Sequence, residues 1–236
     1  ERCQPLMGFL LSGLAPHSAL TVLYEDDALL AVDKPAGVLS VPGRSSQTSD
    51  NVLTRLQQAR GRILYPVHRL DQDTSGILLL AKHPQSHQRL SQHFQTHQIL
   101  KVYEAVLAGI VGEEEGEINL PLWGNPGDRP RQTVDWQRGK PSLTRFQVIH
   151  RTDHQTRVAF YPITGRTHQL RVHAAHPQGL GVPIVGDRLY GNSSPPAIPN
   201  ASTTSNSPRL LLHACRLHCH HPVTGAPLTL NSPPPF

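Results

Sequence analysis

Apolar residues in this chain fall mainly into short runs, broken by Gly, Pro and acidic residues, rather than into long helical stripes. Thr21–Tyr24 and Ala28–Asp33 are two such runs separated by Glu25, Asp26 and Asp27, which predicts a strand, a tight turn and a second strand. Lys34, Pro35, Ala36 and Gly37 then break the strand, because proline withdraws a backbone donor and glycine permits a left-handed turn. Asp50 is placed to cap a helix from Asn51 to about Arg60, with Val52, Leu53, Leu56 and Ala59 on one face and Arg55, Gln57, Gln58 and Arg60 facing out. The unbroken apolar run Ile77–Ala81 follows Gly76 and is too short for a helix, so it predicts a buried strand. Pro84 opens a second helix, to about His97, whose apolar seam is Leu90 and Phe94.

Leu100–Val111 alternates as a strand, with Val102, Glu104 and Val106 on one side and Tyr103, Ala105 and Leu107 on the other. Leu143–His150 and Thr156–Tyr161 predict a hairpin about Asp153 and His154. It leads to Pro162–Gly165 and the string RTHQLRVHAA, a strand, a glycine turn and a helix start that puts Thr167, His168, Arg171 and Ala174 on neighbouring positions. Arg209–His221 reads as a closing strand with His213, Cys215, Leu217 and Cys219 on one face.

At 236 residues the chain can bury a sizeable core, and we read it as one domain over 21–236 behind an N-terminal extension, 1–20. The stretch 192–208 is rich in Ser, Asn, Thr and Pro and predicts a flexible insertion. Lys and Arg number 22 against 17 Asp and Glu, and the pI is near 9.4, which suits a polyanionic partner. Aromatic residues are only 5% of the chain, so an aromatic platform stacking many single-stranded bases is not expected, and recognition should lean on phosphates and shape. Three cysteines without framework spacing point to a reducing compartment, the cytoplasm. No apolar run reaches the ~18 residues of a membrane span, and no obligate protein partner is evident.

Histidines spaced four apart (His83 with His87, His93 with His97) have a spacing that can bind metal on a helix, but no interleaved carboxylate accompanies them. The Cys and His residues of 213–219 match no standard zinc spacing either, so no metal site is expected. The segment Gly124–Lys140 is a loop by composition carrying Arg129, Arg131, Arg138 and Lys140, either solvated surface or a grip on backbone phosphates.

The stretch His68–Gly76, HRLDQDTSG, places Asp71 in a turn against the expected core strand. Burying an acid is costly unless it is paired or hydrogen-bonded. Local chemistry leaves two readings open: Asp71, Asp73, Thr74 and Ser75 satisfy turn backbone, or Asp71 is kept for chemistry. Tyr103 likewise reads as a core tyrosine or a site residue, and Arg171 as a surface arginine lying along apolar neighbours or as a cation with a buried partner.

HRLDQDTSG followed by ILLLAK resembles the central motif of the RluA-type pseudouridine synthases. The strings YEDDALLAVDKPAGVLSVPG, KVYEAVLAG and GRTHQLRVH with PIVGDRLYG are similar to other motifs of that family, in order, and RPRQ and GKP resemble its single-domain subgroup. The resemblance implies an α+β fold: a mixed, mainly antiparallel central sheet with flanking helices and loops, a central active-site cleft and no S4-like RNA-binding domain. It implies that uridine in structured RNA, ribosomal RNA or a transfer RNA anticodon stem-loop, is isomerised to pseudouridine with no cofactor. In that chemistry Asp71 is the catalytic carboxylate, Tyr103 lies over the target base, and Arg171 pairs with Asp71. Arg69 is then the candidate to fill the space a flipped-out nucleotide leaves, and Arg129 and Arg131 are candidate RNA contacts. The rival reading is a protein that binds or helps fold RNA and keeps the fold without turnover.

Overall fold

The computed structural model describes residues 20–43, 50–191 and 209–236; the predicted N-terminal extension (apart from Leu20) and the 192–208 insertion lie outside them. The described elements in chain order are β1 (Thr21–Glu25), β2 (Leu29–Lys34), α1 (Val52–Arg60), β3 (Tyr65–Pro66), β4 (Ser75–Ala81), α2 (Pro84–Gln95), β5 (Leu100–Leu107), β6 (Glu115–Asn119), β7 (Leu122–Trp123) and β8 (Thr133–Val134). They are followed by β9 (Leu143–Arg151), β10 (Thr156–Pro162), α3 (Gln169–Ala175), β11 (Leu212–His220) and β12 (Pro227–Asn231). Ten strands form one sheet along the path β1-β2-β4-β11-β5-β10-β9-β6, with β3 beside β4 and β12 beside β11. All described strand pairs in it are antiparallel except β4 with β11, so the sheet is mixed and mainly antiparallel, as the resemblance implies.

Strand β4 explains the layering. All seven of its residues are buried, because both faces of the sheet are covered at this point. Ile77, Leu79 and Ala81 point to one face and pack with Ala31, Leu217 and Leu90 of α2. Leu78 and Leu80 point to the other and pack with Val32 and with Val52 and Leu56 of α1. Each buried Leu or Ile contributes about 1.5–3 kcal/mol. A third cluster, around Leu107, Val158 and Phe160, fills the half of the sheet that carries α3, through Leu170 and Ala174.

Local details depart from expectation where side chains compete for the same backbone. The cap of α1 is Asn51, whose side-chain oxygen accepts from Thr54 N at 2.9 Å, while Asp50 pairs with Arg55. Ala59, expected on the apolar face, is exposed near the C-terminus of α1. The segment 124–140 is not all loop: it holds β8, paired with β7, and one turn of 3-10 helix at Pro126–Asp128. In β11 an irregularity between Ala214 and Arg216 breaks the alternation against β5, so His213 turns to Ser75 and Ser232 whereas Leu217 and Cys219 pack in the α2-side core. No described helix is long and apolar enough to cross a membrane.

Gly76 sits where β4 meets β11 in parallel, opposite Ala214, with φ +112°. A Cβ there would lie 2.4 Å from the carbonyl oxygen of Ala214. Strain in φ and the close approach act together, so Gly76→Ala is expected to destabilise the protein by about 2 kcal/mol or more, read from the urea midpoint.

Candidate active site

The turn that carries Asp71 is built between the end of one strand pair and the start of another. Thr74 N closes it on Asp71 O at 3.2 Å, immediately before β4. The linker after β2 clamps it from one side. Lys34 is fully buried and donates from Nζ to the carbonyls of Pro35, Val38 and Gln72 at 2.9, 2.7 and 2.9 Å, which uses all three ammonium protons. Gly37 N also donates to Gln72 O, and Ser40 Oγ bridges the backbone of Leu70 in both directions. Burial pushes Lys34 down to about 8, against the opposing pull of Asp71, Asp73 and Asp33, so it remains cationic at neutral pH beneath the turn.

Asp71 itself is held without being quenched. Its side chain is 20% exposed, and its carboxylate accepts no hydrogen bond among the described residues; the nearest cationic-capable group is His168 Nε2 at 4.0 Å. His168 is the residue before α3, buried, with a left-handed φ of +55°. That conformation turns its ring inward: Nδ1 lies 2.7 Å from the Tyr190 hydroxyl while Nε2 faces Asp71. Burial lowers the His168 pKa, partly opposed by the Asp71 charge. The arrangement suits a neutral imidazole with its proton on Nε2, toward the acid.

Arg171 follows one turn into α3, and here the expected pairing is corrected. Its guanidinium donates through Nε and Nη2 to Asp187 at 2.8 and 2.7 Å, and it makes no ion pair with Asp71. The side chains of this pair are 3% and 0% exposed, so the bond is a buried, two-pronged one. Asp187 takes the guanidinium because the 186–191 turn brings it up, held by two further donors to its Oδ1, Leu189 N and Tyr190 N. Burial works against the charge of Arg171, but the bonds and charge of Asp187, with a further contribution from Asp71, raise its pKa. Asp71 therefore feels Arg171 as a nearby charge rather than as a hydrogen-bond donor.

Tyr103, on β5, packs against the core cluster of Leu107 and Phe160, and its hydroxyl makes no hydrogen bond among the described residues. Burial first and then the Asp71 charge raise its pKa, so the phenol stays protonated. The structure thus places Tyr103 and Arg171 each within electrostatic reach of Asp71. Arg69 is exposed beside the turn, and its charge is felt at His168. Arg129 and Arg131 are exposed on their loop, which is tied back to the site by Gln132 N donating to the Tyr190 hydroxyl at 2.8 Å. His168, Asp187 and Tyr190 carried no role in the sequence reading; PIVGDRLYG was visible as a motif, but the reach of its side chains was not. A cavity of about 630 Å³ adjoins the turn at Gln72 and Asp73, lined also by Arg188 and Arg209, and does not include Asp71. No group of three or more metal-ligating side chains occurs among the described residues.

A family model described as RNA pseudouridylate synthase matches residues 28–176, which includes the Asp71 turn, Tyr103 and α3. The chain belongs to the RNA pseudouridylate synthase family. It is 42% identical over 221 residues to the dual-specificity RNA pseudouridine synthase RluA of Haemophilus ducreyi, covering 92% of this chain and 94% of the relative. It is 40% identical over 222 residues to the protein of the same name from Escherichia coli, with the same coverage. Among solved structures, human RNA pseudouridylate synthase domain containing 1 superposes with a TM-score of 0.73 at 29% identity, covering 94% of this chain and 87% of that one. This synthase is therefore an isomerase acting on RNA, and the resemblance that HRLDQDTSG carries holds across most of the chain.

Two outcomes test the geometry. Asp187→Asn leaves Arg171 buried with an uncompensated charge and is expected to cost about 3 kcal/mol or more, measured by equilibrium unfolding. His68, stacked on Phe94 and accepting from Leu79 N at 3.0 Å, is pushed by burial and by Lys101 to about 3; burial takes the fully enclosed His173 to about 4. Both titrate near 6.5 in the unfolded chain, which therefore binds more protons than the folded one below that pH. Their stabilising contribution is complete above pH 6.5 and is lost as pH falls toward 4. The urea midpoint should drop between pH 7.5 and pH 5, less steeply in His68→Asn.

Proposed function

We propose that this synthase isomerises uridines in ribosomal RNA and in transfer RNA anticodon stem-loops, in the cytoplasm, with Asp71 as the catalytic carboxylate. The observation that carries the assignment to Asp71 is that its carboxylate accepts no hydrogen bond yet stands among Lys34, His168 and Arg171. A carboxylate used only to stabilise a turn spends its lone pairs on backbone donors. The dual targets rest on the relatives, whose printed name is dual-specificity RNA pseudouridine synthase, and on the RPRQ and GKP strings of the loop.

The reaction breaks the bond from N1 to the ribose C1′, turns the uracil while it is held, and joins C5 to the same carbon. The proton on C5 leaves and N1 gains one, so the sum is an isomerisation. An ionised Asp71 serves such a cleavage by attack at C1′ or by taking a ribose proton, and either needs the free lone pairs seen here. Lys34 and Arg171 keep that charge in place from below and from the side. Tyr103, a neutral phenol with a free hydroxyl, covers the base and relays the C5 proton only by giving up its own as it accepts another, because its raised pKa disfavours a standing phenolate. Arg69 occupies the space left by the flipped-out nucleotide, and Arg129 and Arg131 hold phosphates.

Release of tritium from RNA labelled at C5 of uridine tests this. Asp71→Asn should abolish release from both RNAs. Tyr103→Phe should slow it by about 10² or more while shifting stability by less than about 0.5 kcal/mol, since no partner is orphaned. Full release by Asp71→Asn would remove Asp71 from the chemistry. RNA binding by the natural chain without release would favour the binding-protein reading.

A further inference from the structure

Two lysines stand near the site, Lys34 fully buried and Lys101 half-buried, and they are satisfied very differently. Lys34 spends every ammonium proton on a carbonyl. Lys101, on β5, has a single long contact, Nζ to the carbonyl of Thr164 at 3.5 Å, and no carboxylate within ion-pair distance among the described residues. Burial alone takes it down to about 8, so it is still mostly charged at neutral pH. A half-buried ammonium with one long contact keeps two protons free for a ligand.

Its place indicates what that is. Lys101 and Tyr103 lie two apart on β5, on the same side of the strand, which separates their positions by about 7 Å. The Nζ sits against the turn that leads into α3, 3.8 Å from the position a Cβ on Gly165 would take. His68, in the stretch that leads to Asp71, feels its charge. Lys101 therefore lies against the turn that leads to His168 and within electrostatic reach of His68, three residues before Asp71. A strand step of that length matches the span from a pyrimidine ring to the phosphate of its own nucleotide. Gly165 and the backbone of Thr164 offer nothing anionic to compete.

Building on the proposed placement of the target base over Tyr103, we propose that Lys101 binds the phosphodiester of the target nucleotide, fixing the ribose over Asp71. The ammonium meets phosphate as a point charge, and its two free protons supply charge-assisted hydrogen bonds. Because Lys101 holds the nucleotide from its backbone, this contact does not depend on the identity of neighbouring bases and serves both RNA classes alike. Lys101 is thus a substrate-contact residue outside the Asp71, Tyr103 and Arg171 set.

The test measures affinity of the full chain for an anticodon stem-loop hairpin RNA against salt concentration, with Asp71→Asn in every variant to stop turnover. Lys101→Met should weaken binding about tenfold or more and make the slope of log affinity against log salt shallower by about 0.7–0.9, the loss of one phosphate contact. Lys101→Arg should keep the slope. A methylphosphonate at the target phosphate should cost the Lys parent as much as Lys101→Met does, and cost the Met variant little more. Lys101→Met replaces an unpaired charge with an apolar chain of similar length and should unfold at no lower urea concentration. An unchanged slope and affinity in Lys101→Met would overturn the proposal, as would full additivity with the methylphosphonate. Normal tritium release by the natural chain beside an unchanged slope sinks this inference alone; the slope change without any release sinks the catalytic reading and leaves the phosphate contact standing.

Discussion

The buried bond between Arg171 and Asp187 is the contact on which the site's geometry depends. It joins a helix, α3, to a turn sixteen positions later, and both side chains are all but sealed from water. An apolar pair of the same volume would serve stability as well or better, so the value of this one is positional. It fixes the 186–191 turn, and the turn presents Tyr190. The Tyr190 hydroxyl then meets both His168 and the backbone of Gln132. One ion pair thus sets the ring that faces Asp71 and anchors the arginine-bearing loop.

The other half of the site depends on a different device. The Asp71 turn is held by backbone carbonyls gathered around Lys34 and by the Ser40 hydroxyl, and its exit is the fully buried β4. Main-chain clamping leaves the Asp71 carboxylate free, whereas holding it by side-chain donors would have stabilised the turn at the expense of its lone pairs. On β5, Tyr103 and Lys101 also keep donors unspent. Unspent polar groups at one place, against a molecule in which Asp33 Oδ1 is the one buried side-chain oxygen without a partner among the described residues, mark where a ligand completes the hydrogen bonding.

Most elements were legible because their signals are local. The five-residue apolar run Ile77–Ala81 behind a glycine is too short for a helix and reads as a strand covered on both faces, and β4 is that strand. Alternation over 100–107 put Tyr103 on the core side, where it is. The chemistry of HRLDQDTSG was legible as a string of side chains whose combination is specific, and it located Asp71 in a turn. Local reading failed where two neighbours offered the same service. Asn51 rather than Asp50 caps α1, since only the geometry of the first turn chooses between adjacent acceptors.

Partners distant along the chain were decided by tertiary structure alone. The sequence put Arg171 on a partly apolar helix face, where it either reaches water or pairs with a buried partner. Which carboxylate it finds depends on the turn at 186–191, whose path no periodicity encodes. The inward ring of His168 follows from a left-handed backbone at a residue that usually avoids it, imposed by the entry into α3. The contrast between Lys34 and Lys101 is of the same kind: two lysines each placed by their strands, one surrounded by carbonyls and one left with a single long contact. A sequence specifies which groups need partners, but only the folded chain sets the distances, and hydrogen bonds and ion pairs fall off too steeply with distance for spacing along the chain to stand in for it.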